Sequence, residues 1–192
     1  MQNKKVLLVG GCGFIGHNLA IHLKKLGAEP VIVDSLSVNN IFSFRDQDIK
    51  NKMLYSSILN NRIDLLKKDK IELIVQDARD YHAISKIYKK INPSIIIHLA
   101  AVSHANKSNK DPHSTFDHSF RTLENTLDYA KASKTHTIYI SSSMVYGNFD
   151  SEDVKEERPC KPIGIYGTLK YSGELLVKAY SDVFDLPYTI IR

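Results

Sequence analysis

The chain has 192 residues of which 43% are hydrophobic, enough for one well-buried domain and short for two. Its net charge of +5 suits a polyanionic small ligand, and because the positive residues are scattered rather than blocked, a nucleic-acid partner is disfavoured. Only Cys12 and Cys160 are present, with no C-x-x-C pair, no signal peptide and no apolar run near the length of a membrane span, which excludes a disulfide scaffold and fits a reducing, cytoplasmic setting with no membrane partner.

Taken in order, Lys4-Lys5-Val6-Leu7-Leu8-Val9 is an apolar run opening into Gly10-Gly11-Cys12-Gly13-Phe14-Ile15-Gly16. Strand, glycine loop and helix in that succession form a nucleotide-binding βα turn. Gly10 permits the tight turn, Gly13 lets backbone N–H groups approach a pyrophosphate, and Gly16 allows close packing of helix on strand. The helix N-terminus adds attraction for the phosphates. The spacing is G-x-x-G-x-x-G rather than the more common G-x-G-x-x-G. Phe14, Ile15, Leu19, Leu23 and Leu26 recur at helical spacing, which predicts a helix over 14–26 closed by Gly27. Cys12 is read as a small residue tolerated in a crowded loop.

Pro30-Val31-Ile32-Val33-Asp34 predicts a second strand. Asp34 follows Gly16 by about the interval at which a carboxylate accepts hydrogen bonds from an adenosine ribose. A carboxylate there favours NAD, since it would repel the extra phosphate of NADP and no Arg or Lys follows until Arg45. A strand-end turn residue is the bland alternative. Residues 36–70 predict a loop followed by a helix. Ile71–Val75 predicts a third strand, after which Asp77 could face an adenine and Asp80 is an N-cap. Ile84, Ile87, Tyr88 and Ile91 share one face of a helix over 80–91, closed by Pro93.

Ser94–Ala101 is a continuous apolar run, as required of a parallel strand covered on both faces. A long helix over 113–132 and a fifth strand, Thr135–Ile140, follow. Regular alternation of strand and helix predicts an α/β fold: a Rossmann-type doubly wound parallel sheet with helices on both faces and ligands at the carboxyl ends of the strands. One domain spanning 1–192 is expected. Among the histidines no metal-ligand spacing occurs, so no metal is expected, and His98, His104 and His118 are structural or solvated.

Two stretches carry chemistry. Ser141-Ser142-Ser143-Met144-Val145-Tyr146-Gly147 lies at the end of the fifth strand, and Tyr166-Gly167-Thr168-Leu169-Lys170 lies on the following helix. Tyr166 and Lys170, four apart, share one helical face, where an ammonium can lower a phenol's pKa and help orient a nicotinamide ribose. An unperturbed tyrosine titrates near ~10, so a base working at neutral pH needs such a neighbour. A strand-end serine hydroxyl can bind the same substrate oxygen. A lone Y-x-x-x-K is usually a surface pair; the glycine loop, Asp34 and the Ser-rich strand end argue otherwise here.

On these motifs the chain resembles the extended short-chain dehydrogenase/reductases and, within them, the NAD-dependent nucleotide-sugar epimerase/dehydratase family, from Lys4 to Arg192. The Gly10–Gly16 loop, with Phe14 and Ile15, looks like the family's glycine signature. Asp77 and Ala78 with Arg79-Asp80 look like its adenine-side motif, and His98-Leu99-Ala100-Ala101 like its fourth-strand motif. Ser142, four before Tyr146, matches the catalytic Ser/Thr, and Tyr166 and Lys170 the catalytic pair. The resemblance implies tightly held NAD, a nucleotide-sugar substrate (an NDP-hexose or NDP-uronate), and a cycle in which a sugar carbon is oxidised while Tyr166 takes its hydroxyl proton. The ketosugar then turns over and is reduced on its other face, most often at C4. Dehydratases of the family carry an Asp-Glu pair after the catalytic hydroxyl; Ser143-Met144 stand there, leaving epimerase as the leading expectation.

The family's usual N-x-x-G-T-like motif falls at His118, Arg121 and Thr122, with only Thr122 retained. The family continues past the sixth strand, Tyr188–Arg192, into a smaller substrate-gripping domain, so a chain lacking that C-terminal domain is expected. Two alternatives stand beside the epimerase: an NDP-sugar reductase or dehydratase of the same family, and a non-catalytic NAD-binding protein. The resemblance also implies a homodimer built from helices at 113–132 and 166–184.

Overall fold

The computed structural model describes residues 2–44, 50–103, 105–149 and 153–192. Arg45 and His104 lie outside the described residues. Contacts divide the chain into two compact units, Met1–Leu99 and Ala100–Arg192.

The first unit is built on β1 (Lys5–Val9), whose Val6, Leu7, Leu8 and Val9 are all fully buried. Each such side chain contributes about 1.5–3 kcal/mol relative to exposure. The chain turns at Gly10 into α1 (Phe14–Lys25), then returns as β2 (Glu29–Asp34). The predicted C-terminal glycine is in place: Gly27 takes φ +82° and its N–H closes on the Lys24 carbonyl. Next come a single turn, α2 (Ile41–Phe44), a long helix, α3 (Lys52–Lys68), β3 (Glu72–Val75), α4 (Tyr81–Ile91) and β4 (Ile95–His98). Helix α3 is indistinct in the sequence because it buries only Leu59 and Leu66, while Met53 is 89% exposed. Asp80 caps α4, its carboxylate accepting from the Ala83 N–H at 3.0 Å.

Strand β1 pairs parallel with β2 on one side (Leu8 opposite Ile32) and with β4 on the other (Leu8 opposite Ile97), and β2 pairs with β3. Pro30 sits where its missing N–H costs nothing, before the β2–β3 register begins at Val31. Because β1 lies between β2 and β4, the direction of winding reverses there, and in open α/β sheets the crevice beyond the strand ends at such a point is where ligands bind. The fourth strand is shorter than its apolar run: residues 99–101 leave the ladder, although the Leu99 N–H still donates to the Val9 carbonyl at 2.8 Å.

The second unit begins with α5 (Ala105–Lys110) and α6 (Pro112–Phe116), passes through a π-helical turn at Asp117–Arg121, and continues as α7 (Thr122–Ser133). The single helix expected over 113–132 is therefore divided. The turn coincides with the positions where the sequence departs from the family motif; the Thr122 hydroxyl donates to the His118 carbonyl at 3.0 Å, and the Ser119 hydroxyl accepts from the Val102 N–H. Strand β5 (His136–Ile140), a short 3-10 turn at Ser143–Tyr146, α8 (Gly164–Phe184) and β6 (Tyr188–Ile191) complete the chain. Strands β5 and β6 are parallel, with Tyr139 opposite Ile190. Within the first unit the strands are ordered β3-β2-β1-β4, and within the second β5 lies beside β6. No helix among the described residues is long and apolar enough to cross a membrane.

Candidate active site

In the first unit the glycine loop is shaped by two steric demands. Gly10 takes φ +74°, a left-handed conformation that glycine adopts without the Cβ penalty. At Gly16 a Cβ would lie 2.3 Å from the Gly11 carbonyl oxygen, so only glycine lets α1 start this close to the loop. At Gly13, by contrast, a Cβ would meet only the Gly10 oxygen at 3.9 Å, which leaves that face of the loop open. Gly13 is also the N-cap of α1, with no side chain capping the helix and no acid in its first turn. The first N–H groups of a twelve-residue helix are thus left for an anion, the arrangement a pyrophosphate requires. Phe14 and Ile15 begin that helix and are 72% and 58% exposed rather than buried.

Asp34 ends β2 with its carboxylate turned back to the loop: Oδ2 accepts the Cys12 N–H at 2.9 Å and Oδ1 the Leu36 N–H at 2.8 Å. Burial raises its pKa, partly offset by these two hydrogen bonds. Cys12 is a buried residue of the loop and its thiol is pushed up to about 11, chiefly by burial and then by the Asp34 charge; its carbonyl accepts from Asn40. Asp77 is tied to Arg79 by a bidentate ion pair, with Oδ2 and the guanidinium NH2 2.7 Å apart, and also accepts the Arg79 N–H. Ala78 is buried, and Leu99 lies half-buried just past β4. His98 is wholly buried in β4.

In the second unit, Ala100 and Ala101 are half-buried. Ser142 N-caps the 3-10 turn; its Oγ accepts the Met144 N–H at 3.2 Å, which leaves the hydroxyl proton to donate. Tyr166 stands half-buried in the first turn of α8. Lys170, one turn on, is only 5% exposed; its ammonium donates to the Ile140 carbonyl at 2.7 Å and lies 5.1 Å from the Tyr139 ring centroid. Burial lowers its pKa to about 8. Two of its three N–H donors have no partner among the described residues. Contacts draw Ser142, Tyr166 and Lys170 towards one another: Lys170 reaches the carbonyl two residues before Ser142, and a Cβ at Gly167, next to Tyr166, would lie 2.7 Å from the Met144 oxygen.

Several residues that shape this region are not singled out by the motifs. Gly11 is confined too, a Cβ there lying 2.7 Å from that of Leu8. Gly173 admits the Tyr139 hydroxyl, which would be 2.3 Å from its Cβ. Glu174 is fully buried on α8 and pairs with Arg192. Its place four residues after Lys170 and eight after Tyr166, on one helical stripe, is the sequence signal that marks it.

A parallel sheet with its winding reversed beside an uncapped glycine loop defines a Rossmann-type dinucleotide-binding protein. A profile of the NAD dependent epimerase/dehydratase family matches residues 6–192, and the chain belongs to that family. It is similar to the UDP-glucose 4-epimerase of Rhizobium meliloti, 28% identical over 193 residues covering 100% of this chain and 52% of that protein. It is also similar to a dTDP-D-glucose 4,6-dehydratase of Dictyostelium discoideum, 28% identical over 201 residues, 98% of this chain and 43% of that one. Among solved structures, UDP-glucuronic acid 4-epimerase from Bacillus cereus, in complex with UDP-glucuronic acid and NAD, superposes with a TM-score of 0.77 at 27% identity over 98% of this chain and 55% of that one. The chain spans about half the length of the curated relatives it matches.

Proposed function

We propose that the chain is the catalytic, NAD-binding part of a nucleotide-sugar 4-epimerase. The observation that carries this is Lys170: a buried ammonium with two uncommitted donors, one helical turn from Tyr166 and hydrogen-bonded to the strand end that bears Ser142. A buried amine kept polar in this way is costly unless a ligand uses it.

NAD, when bound, would accept a hydride from the sugar carbon and return it. Gly10, Gly13 and Gly16 with the α1 N-terminus, including Phe14 and Ile15, would hold its pyrophosphate, and Asp34 the adenosine ribose. Asp77 and Ala78 would line the adenine side, and Leu99, Ala100 and Ala101 the floor. Lys170 would donate to hydroxyls of the nicotinamide ribose. As a C4 hydroxyl becomes a carbonyl, its proton passes to the Tyr166 phenolate oxygen, and Ser142 donates a hydrogen bond to the same sugar oxygen, where negative charge develops. The reverse transfer, after the sugar has presented its other face, returns the proton from Tyr166.

Epimerisation is favoured over dehydration because Ser143 and Met144 stand where dehydratases of the family carry the Asp-Glu pair that protonates and deprotonates the sugar, and neither is a carboxylic acid. A homodimer is part of the same proposal, supported by apolar side chains on α8, among them Leu175 and Val183, at 49% and 70% exposure. The test is epimer formation from UDP-galactose or UDP-glucuronate in the presence of NAD. Stoichiometric consumption of reduced cofactor would instead indicate a reductase, and binding of NAD without turnover a cofactor-holding protein.

A further inference from the structure

The Glu174 carboxylate, fully buried, accepts the Ser141 hydroxyl proton at Oε1, the Arg192 Nε–H at 3.0 Å and an Arg192 NH2 proton at 2.7 Å. The other arm of the Arg192 guanidinium donates to the Tyr146 hydroxyl at 2.9 Å and to the Glu156 carbonyl at 3.0 Å, and its carbon lies 5.0 Å from the Tyr146 ring centroid. Ser141 and Tyr146 are the two ends of the segment that contains Ser142. The hub of the network, Glu174, sits one helical turn beyond Lys170 on α8. One ion pair therefore grips both ends of the serine turn and fastens them to the helix that presents Tyr166 and Lys170.

We propose that Glu174 and Arg192 are positioning residues for catalysis, setting the Ser142 hydroxyl against the Tyr166–Lys170 face; this rests on the epimerase function proposed above. Stability alone does not call for such a pair, since well-packed apolar residues in place of a buried ion pair are often neutral or stabilising. Charged, bidentate hydrogen bonds do what apolar contacts cannot: they fix direction as well as distance. The need for them is visible at two glycines. At Gly167 and Gly173 the helix lies against the Met144 carbonyl and the Tyr139 hydroxyl with no side chain of its own as a spacer. A hydroxyl displaced by about 1 Å from its reacting partner can cost on the order of a hundredfold in rate.

The test uses the whole chain and two variants of different severity. Glu174→Gln removes the charge and Ser141→Ala removes only the hydroxyl, leaving the ion pair intact. Both are expected to lower kcat about tenfold or more with KM changed less than about twofold, because geometry rather than substrate binding is lost. Ser141→Thr, which keeps the hydroxyl, is expected to restore kcat. Amide hydrogen exchange is expected to quicken over 141–147 and to stay unchanged in α1 and β1. Folded variants with wild-type kcat would overturn the proposal. If the wild-type chain epimerises no sugar, the epimerase function fails by itself, and exchange then decides: faster exchange over 141–147 in both variants supports positioning, and unchanged exchange refutes it.

Discussion

Lys170 titrates where its burial has consequences that can be measured without substrate. Its pKa falls from 10.5 to about 8 on folding because burial penalises the ammonium. Between those values the unfolded chain binds more protons than the folded one, so stability rises with pH. Below pH 8 the folded state carries the full penalty, and above 10.5 it carries none. Replacing the side chain in Lys170→Met keeps the aliphatic stem and removes the titration. The unfolding free energy of the wild type minus that of the variant should then increase by about 2 kcal/mol between pH 7 and pH 9.5. Cys12, pushed up to about 11 by burial, acts in the opposite sense: its stabilisation is lost as pH rises from 9 towards that value. It is present in both proteins and largely cancels in the difference. Urea unfolding at intervals of half a pH unit measures the effect. A difference constant to within about 0.5 kcal/mol over that range would refute the claim that Lys170 is held as a desolvated amine.

Two further outcomes are expected. Asp34→Ser removes a carboxylate that now accepts the Cys12 and Leu36 N–H groups and that would repel a 2′-phosphate by several kcal/mol at close range; fluorescence titration should find the NAD-over-NADP preference reduced about tenfold or more, and an unchanged ratio would remove Asp34 from the ribose site. Light scattering should give twice the 21.7 kDa mass of one chain; a mass of one chain would refute the dimer.

Much of the first unit is legible in the sequence because its signals are local. The β1 run is continuous and apolar because the strand lies between two neighbours, and Gly10 and Gly16 are required by a φ angle and a backbone contact respectively. Helix α3 is not legible in the same way, since two buried leucines in seventeen residues make no stripe. The π turn at Asp117–Arg121 is hidden for another reason: an inserted residue in a helix leaves the composition of both flanks unchanged. Ser142, Tyr166 and Lys170 stand out through spacing and company. The pairing of Glu174 with Arg192 does not, because a carboxylate and a guanidinium eighteen residues apart meet only when β6 is laid beside β5.

The central claim is that Tyr166 moves the sugar hydroxyl proton during NAD-dependent epimerisation, and proton NMR of the anomeric region tests it most directly. With NAD and UDP-galactose or UDP-glucuronate, the wild-type chain should generate the corresponding 4-epimer, and Tyr166→Phe should slow that conversion by about a hundredfold or more. Equal rates for the two proteins would contradict the role of Tyr166, and a wild-type chain that leaves both sugars unconverted would contradict the epimerase itself.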